Sequence, residues 1–251
     1  MLDFDFIEIG TADFDTEIQK AQEHTRGISI EPLHSRLEAL PKPQLCHKIC
    51  AAVGSKRGYA YLYYVPDRFL KDLPDWARGC SKMGEAHPTI PFDKQDCLQV
   101  KVITPEDLYN DYKIGNIGLL KVDTEGMDVE IVSLWIATAE ELGRPLPDKI
   151  IMECNSLTPE PDKVKILELL DDRNYDVQWD GDNIVAQLIN ELKFDVLGGL
   201  YTFEPSTGKL THPNQVNTSW FTLRDGEWVV SEWAVTLPDM HAQMILDKIN
   251  G

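Results

Sequence analysis

Four short segments share one chemical design, an apolar run that closes on a carboxylate. Residues 119–128 read LLKVDTEGMD, so Asp123, Glu125 and Gly126 follow the run. Residues 4–10 (FDFIEIG) end in Glu8 and a glycine, residues 27–32 (GISIEP) in Glu31, and residues 149–155 (KIIMECN) in Glu153. Such runs are buried strands that deliver their last side chains to the strand tips. In open parallel α/β sheets ligands sit at the carboxyl ends of the strands. Carboxylates gathered there suit a polar, cationic ligand.

The elements that would position these acids alternate. The pattern predicts strands at 4–10, 27–31, 48–53, 98–103, 119–123 and 149–153. Helices are expected near 16–24, 35–40, from 127 to 142 and from 161 to 173. Asp13 or Asp15 can cap the first helix, and Thr104-Pro105-Glu106-Asp107 opens another between the 98–103 and 119–123 strands. Residues 59–65 read as a hairpin partner of the third strand, across the Gly54–Gly58 turn. Residues 175–179 and 183–187 form a hairpin around Gly181-Asp182. Strand–helix alternation means an α/β fold with a mostly parallel sheet and helices on both faces. The last hairpin adds a terminal antiparallel strand. The stretch 66–96 is irregular and rich in Pro, Gly and charge, long enough to be a functional lid. Residues 1–187 thus form the main domain. Residues 188–251 form an appendage with a hairpin around Asp225-Gly226, whose Trp220, Trp228 and Trp233 need a partner surface, either the main domain or another subunit.

Composition narrows the function. With 251 residues the chain has room for one good core. Its net charge of −18 argues against a nucleic-acid binder, which needs a basic surface, and against anionic membranes. The first ten residues carry Asp3, Asp5 and Glu8, unlike a secretory leader. Five cysteines without a CxxC pair fit buried free thiols in a reducing cytoplasm. Cys46-His47-Cys50 lacks a second ligand pair at zinc spacing.

The first turn, Gly10-Thr11-Ala12-Asp13-Phe14-Asp15, discriminates between nucleotides. A dinucleotide needs G-x-G-x-x-G, so that its pyrophosphate can approach backbone amides. Here one glycine is followed by two aspartates that would repel it. S-adenosylmethionine carries a sulfonium and an ammonium and no phosphate, so carboxylates help. Glu31, at the end of the second strand, stands where an acid accepts ribose hydroxyls.

These segments, FIEIGTADFDT, GISIEPL, KICAAVG and ITPEDLY…GNIGLLKVDTEGMDVEIV, resemble in order and spacing the FkbM-type methyltransferases over about residues 4–187. The resemblance implies a class I, Rossmann-like methyltransferase fold with a seven-stranded sheet. It implies S-adenosylmethionine as methyl donor and a hydroxyl of a carbohydrate or glycosylated small molecule as acceptor. Glu8, Gly10 and Thr11 would line the methionine end, with Asp13 and Pro32 among the donor's contacts. Glu31 would hold the ribose, Ala51 and Ala52 would flank the adenine, and Asp123 would stand near the transferred methyl. A side chain at Gly10 would fill the methionine space and leave the fold intact.

For the acceptor, Trp76 offers a stacking face, Arg78 a hydrogen-bonding cation and Glu125 a nearby acid. The acceptor's proton could go to His87, Asp123 or Glu153. Asp123, Glu153 and Asn155 form an oxygen-only set suited to Mg²⁺. Two other classes remain: a non-catalytic nucleoside-binding protein and a nicotinamide-dependent oxidoreductase, the latter disfavoured by the first turn.

Overall fold

The computed structural model describes residues 1–156 and 158–189, five strand segments beyond them, and single positions 243, 244, 246 and 249. The chain divides into two compact units, Met1–Leu188 and Ile189–Gly251.

The first unit is built on a seven-stranded sheet. Its members are β1 (Leu2–Ile9), β2 (Gly27–Ile30), β3 (Cys46–Ile49), β8 (Ile114–Val122), β9 (Lys149–Glu153), β10 (Tyr175–Asp180) and β11 (Asn183–Leu188). They lie in the order β10-β11-β9-β8-β1-β2-β3. The pairs from β9 to β3 are all parallel, whereas β11 runs antiparallel to both β9 and β10. The sheet is therefore mostly parallel, as expected. The reversed strand is inserted between β9 and β10, because the Gly181-Asp182 turn folds β11 back against β9 and leaves β10 at the edge. β8 starts at Ile114, five residues before the expected apolar run. Gly115 and Gly118 hide that half, and a side chain on Gly118 would stand 2.9 Å from the Asp5 carbonyl oxygen of β1.

A second, four-stranded sheet of order β4-β7-β5-β6 joins β4 (Ala52–Val53), β5 (Gly58–Tyr64), β6 (Ser81–Met83) and β7 (Asp96–Ile103). Two expectations change here. The 48–53 strand splits, with β3 in the large sheet and β4 in the small one. Residues 59–65 do not pair with it as a hairpin; β5 runs antiparallel to β7 over its whole length, from Gly58↔Val102 to Tyr64↔Asp96. The 66–96 stretch is more ordered than its composition suggests. It holds α3 (Asp67–Leu70), a 3-10 turn at Asp75–Arg78, β6 and a second 3-10 turn at Phe92–Lys94.

The remaining helices are α1 (Glu17–Lys20), α2 (His34–Ala39), α4 (Pro105–Tyr112), α5 (Asp128–Glu141) and α6 (Glu160–Asp171). The first is one turn, shorter than expected, and its cap is Thr16 in place of Asp13 or Asp15; the Gln19 side chain accepts the Thr16 N–H at 3.2 Å. Thr104 caps α4 as its sequence indicates, accepting the Asp107 N–H at 3.2 Å. The core lies between the sheet and α5, where Ile7, Ile9, Ile28, Leu120, Trp135 and Ile150 are sealed from solvent. Each such side chain contributes roughly 1.5–3 kcal/mol by leaving water. Trp135 donates to the Tyr109 hydroxyl at 3.0 Å, so its one polar atom is satisfied. The thiols are free: Cys46, Cys80 and Cys154 are buried, but Cys50 and Cys97 are exposed.

The second unit contains a five-stranded antiparallel sheet, β12 (Leu192–Val196), β13 (Gly199–Glu204), β14 (Lys209–Thr211), β15 (Ser219–Arg224) and β16 (Glu227–Val230), in chain order. β15 and β16 pair from Phe221↔Val230 to Arg224↔Glu227, the expected hairpin. Its turn at 225–226, Trp233 and the side chains of Trp220 and Trp228 lie outside the described residues. Among the described residues no helix is long and apolar enough to cross a membrane.

Candidate functional site

A cavity of about 250 Å³ opens at the carboxyl ends of β1, β2, β8 and β9, in the first unit. The strand tips are zipped together above the sheet. Gly10 N–H donates to the Ile30 carbonyl and Asp123 N–H to the Ile9 carbonyl, each at 2.9 Å. Gly10 has a φ of +79°, and a Cβ there would stand 1.7 Å from the Asp123 carbonyl oxygen. The glycine is thus needed for the approach of two strands, and a side chain would disturb the fold as well as any ligand.

The cavity brings together Gly10, Thr11, Glu31, Pro32, Ala51, Ala52, Trp76, Asp123, Glu125 and Glu153. Glu8, Asp13, Arg78 and His87 stand outside its lining. Glu8 shares the face of β1 that carries Phe6, and points under the first turn. Both its oxygens accept the Glu17 N–H at 3.0 Å, and the Lys121 ammonium lies 3.3 Å away. Lys121 lines the cavity and also donates to the Asp15 carbonyl at 2.6 Å, so one lysine ties the turn to the sheet. Burial pushes the Glu8 carboxyl up to about 7 despite that lysine.

Asp13 is a structural anion. It sits 3.5 Å from the guanidinium of buried Arg36 and accepts two hydrogen bonds from Arg78, that from Nε at 2.8 Å. Arg36 also meets Asp67 at 2.9 Å. His87 is 3% exposed. Its Nε2 is 3.2 Å from Glu125 Oε2 and its Nδ1 is 2.9 Å from Thr89 Oγ1, so both ring nitrogens are engaged behind Glu125. Burial holds this imidazole below its usual pKa.

Glu31 is 3% exposed and accepts the backbone N–H groups of Ala12 at 2.9 Å and Leu33 at 2.8 Å, one on each oxygen. A carboxylate has about four acceptor sites, so roughly two remain for a ligand. Burial raises it to about 7 as well.

The other acids form a cluster. Asp123, Glu125 and Glu153 place carboxylate oxygens within 4.8 Å of one another. Burial first, and then repulsion from neighbouring acids of the cluster, push Glu125 and Glu153 to about 7, and desolvation, with Asp15 nearby, raises Asp123 against the pull of Lys121. Asp128, buried beside them and raised further by Asp123 and Glu153, accepts Thr124 N–H at 3.0 Å and Gly126 N–H at 3.1 Å, clamping the loop after β8. That loop carries Glu125 at φ +55°. In all, the lining holds five carboxylates (Asp15, Glu31, Asp123, Glu125, Glu153) against one ammonium, Lys121.

Sequence reasoning did not place Phe14, Leu62, Ser81 or Met83 in the lining. The last three come from β5 and β6, and only knowledge of the second sheet brings them there.

A cavity at the carboxyl ends of a mostly parallel sheet is where α/β proteins bind cofactors and substrates. Residues 8–177, more than half of the chain, match the Methyltransferase FkbM domain. The chain belongs to the FkbM methyltransferase family and carries a methyltransferase domain of that kind. A comparison with curated proteins finds no match.

Proposed function

We propose that the protein is an S-adenosylmethionine-dependent O-methyltransferase acting on a hydroxyl of a carbohydrate or glycosylated small molecule. The observation that carries this reading is the charge of the cavity, five carboxylates and a single lysine whose ammonium is already bound. Such a site repels pyrophosphate and attracts a sulfonium or an ammonium. A mostly parallel seven-stranded sheet with one reversed strand supports the same reading. The residues present fit the donor. Glu31 keeps acceptor capacity for a ribose diol, and Ala51 and Ala52 leave a small-residue wall beside it.

When bound, the donor supplies a methyl group already activated for displacement. The chain then has to orient the acceptor hydroxyl and take its proton. Asp123 and Glu153, at adjacent strand tips, are the proton acceptors. Trp76, half-exposed at the lining, gives a flat face for a sugar. Arg78, bound to Asp13, steadies the turn above the donor. The cytoplasm, with its methyl-donor supply and reducing conditions, is the proposed compartment.

Isothermal titration with S-adenosylhomocysteine, NAD and NADP tests the cofactor. Heat with the first alone supports the reading, and heat with only the nicotinamides overturns it. Glu31→Ala should weaken S-adenosylhomocysteine on the order of 2–4 kcal/mol, since a buried charged acceptor is removed. Incubating the protein and a methyl-labelled donor with fractionated glycans, followed by mass spectrometry, tests the acceptor class. Label in protein or nucleic acid alone would refute a carbohydrate acceptor.

A further inference from the structure

Three donors of different chemistry converge beside the cavity from separate segments. Cys80 follows the 3-10 turn at Asp75–Arg78, His87 lies in the loop beyond β6, and Glu125 stands past the tip of β8. The Cys80 sulfur, a His87 ring nitrogen and a Glu125 carboxylate oxygen all lie within 4.8 Å of one another. Cys80 and His87 are 4% and 3% exposed. We propose that Cys80, His87 and Glu125 form a site for one divalent cation of the zinc class, which ties the 80–87 segment to the tip of β8. The assignment does not rest on the methyl-transfer reading.

The donor set is the first argument. Thiolate, imidazole and carboxylate are the three protein ligands of zinc, and a thiolate selects against Mg²⁺ and Ca²⁺. Distance is the second. Ligands about 2.0–2.1 Å from a tetrahedral ion stand roughly 3.3 Å apart, and His87 Nε2 is 3.2 Å from Glu125 Oε2.

Outer contacts are the third argument. A metal-binding histidine characteristically hands its second nitrogen to a partner that fixes the ring. Thr89 Oγ1 does this for Nδ1 at 2.9 Å. The His87 backbone is clamped in turn by Gln95. Its N–H donates to Gln95 Oε1 at 2.8 Å, and Gln95 Nε2 donates to the His87 and Ile90 carbonyls at 3.1 and 2.8 Å. Glu125 is held on the other side at its left-handed φ by a loop that Asp128 clamps. Cys80 packs with Val65, Ala77 and Ile90, a low-dielectric shell around the sulfur. Asp123 and Glu153, beside Glu125, add negative potential that favours a cation. Without one, the thiol faces the Trp76 carbonyl at a long 3.8 Å, and binding exchanges the thiol proton for the ion. Gly79, Ser81 and Glu125 belong to the cavity lining, so the ion would sit at the cavity wall.

Co²⁺ is the probe, titrated into the metal-stripped full chain and followed by absorbance. One equivalent should bind with a near-ultraviolet thiolate-to-cobalt band. Zn²⁺ should erase that band and excess Mg²⁺ should not. Cys80→Ser should lose the band, and His87→Asn and Glu125→Gln should each weaken Co²⁺ at least about ten-fold. Cys80→Asp, which keeps a ligand, should bind Co²⁺ without the band, and so covers the case in which the serine variant misfolds. Absence of the band at millimolar Co²⁺ overturns the site. So does a band that survives in Cys80→Ser, because the four other thiols would then be its source.

Discussion

Gly10 and Asp123 meet backbone to backbone, with room for no more than a hydrogen between the glycine α-carbon and the aspartate carbonyl. A methyl group on Gly10 would lie 1.7 Å from that oxygen, and the φ of +79° is itself unfavourable to a side chain. Gly10→Ala should therefore destabilise the protein by at least about 2 kcal/mol, combining backbone strain with separation of the strand tips. Thermal unfolding followed by circular dichroism measures this, and a melting temperature unchanged from the parent would show that the tips can part freely.

Asp13 should matter more than either arginine contact suggests by itself. Arg36 and Asp13 have side chains only 6% exposed, whereas Arg78 is 46% exposed. Asp13→Ala removes the buried ion pair of Arg36, leaving exposed Asp67 and the more distant Glu31 to balance its charge, and should cost about 1–3 kcal/mol. Arg78→Ala removes a half-exposed partner and should cost less than about 1 kcal/mol. Urea unfolding of the two variants separates them; equal losses would contradict the ranking.

At pH 8, Lys121→Met should be destabilising by about 2 kcal/mol, because the Asp15 carbonyl loses its donor and Glu8, which at lower pH would simply take a proton, would be left buried without its ammonium. Adding Glu8→Gln should restore part of the loss, with a coupling above about 1 kcal/mol in a double-mutant cycle. Additive losses would mean that the pair acts only through its separate backbone contacts.

Glu8 and Glu31 predict an inverted pH dependence. Both carboxyls are raised from 4.5 to about 7, burial being the main cause, while Lys121 opposes the shift at Glu8 and backbone N–H groups with Arg36 oppose it at Glu31. Glu17 beside Glu8, and Asp13 beside Glu31, add to it. The folded chain then binds more protons than the unfolded one between these values, so this contribution is full below about 4.5 and is lost as pH rises through 7. The melting temperature should fall by several degrees between pH 5.5 and pH 8, roughly 2–4 °C per kcal/mol for a chain of this size. Glu8→Gln combined with Glu31→Gln should make that slope shallower without removing it, since Glu125 and Glu153 are also raised to about 7, and a parent protein that gains stability over the range would refute the assignment.

What could be read in the residues depended on range. β1, β2, β8 and β9 were visible because each is an apolar run closing on an acid, and those tips do border the cavity. Period two in β1 puts Glu8 with Phe6, facing away from Ile7 and Ile9; an acid at a strand end looks like a ligand until that parity is counted. After Lys48 the 48–53 segment is apolar throughout, so nothing local marks where it changes sheets. The pairing of β5 with β7 joins segments separated by the whole 66–96 stretch. His87 and Glu125 are 38 positions apart, and no pattern links them.

The change of sheets between β3 and β4 has a mechanical meaning. Ile49 ends a strand of the large sheet and Ala52 begins one of the small sheet, with only Cys50 and Ala51 between them. Ala51 belongs to that link and Ala52 to the strand after it, and both line the cavity. The alanine wall is thus anchored through two residues to the large sheet, while Leu62, Ser81 and Met83 face the cavity from β5 and β6, which pair only within the small sheet. A ligand seated against the alanines would therefore rest on the large sheet's side of the cavity and meet the small sheet's strands on the other.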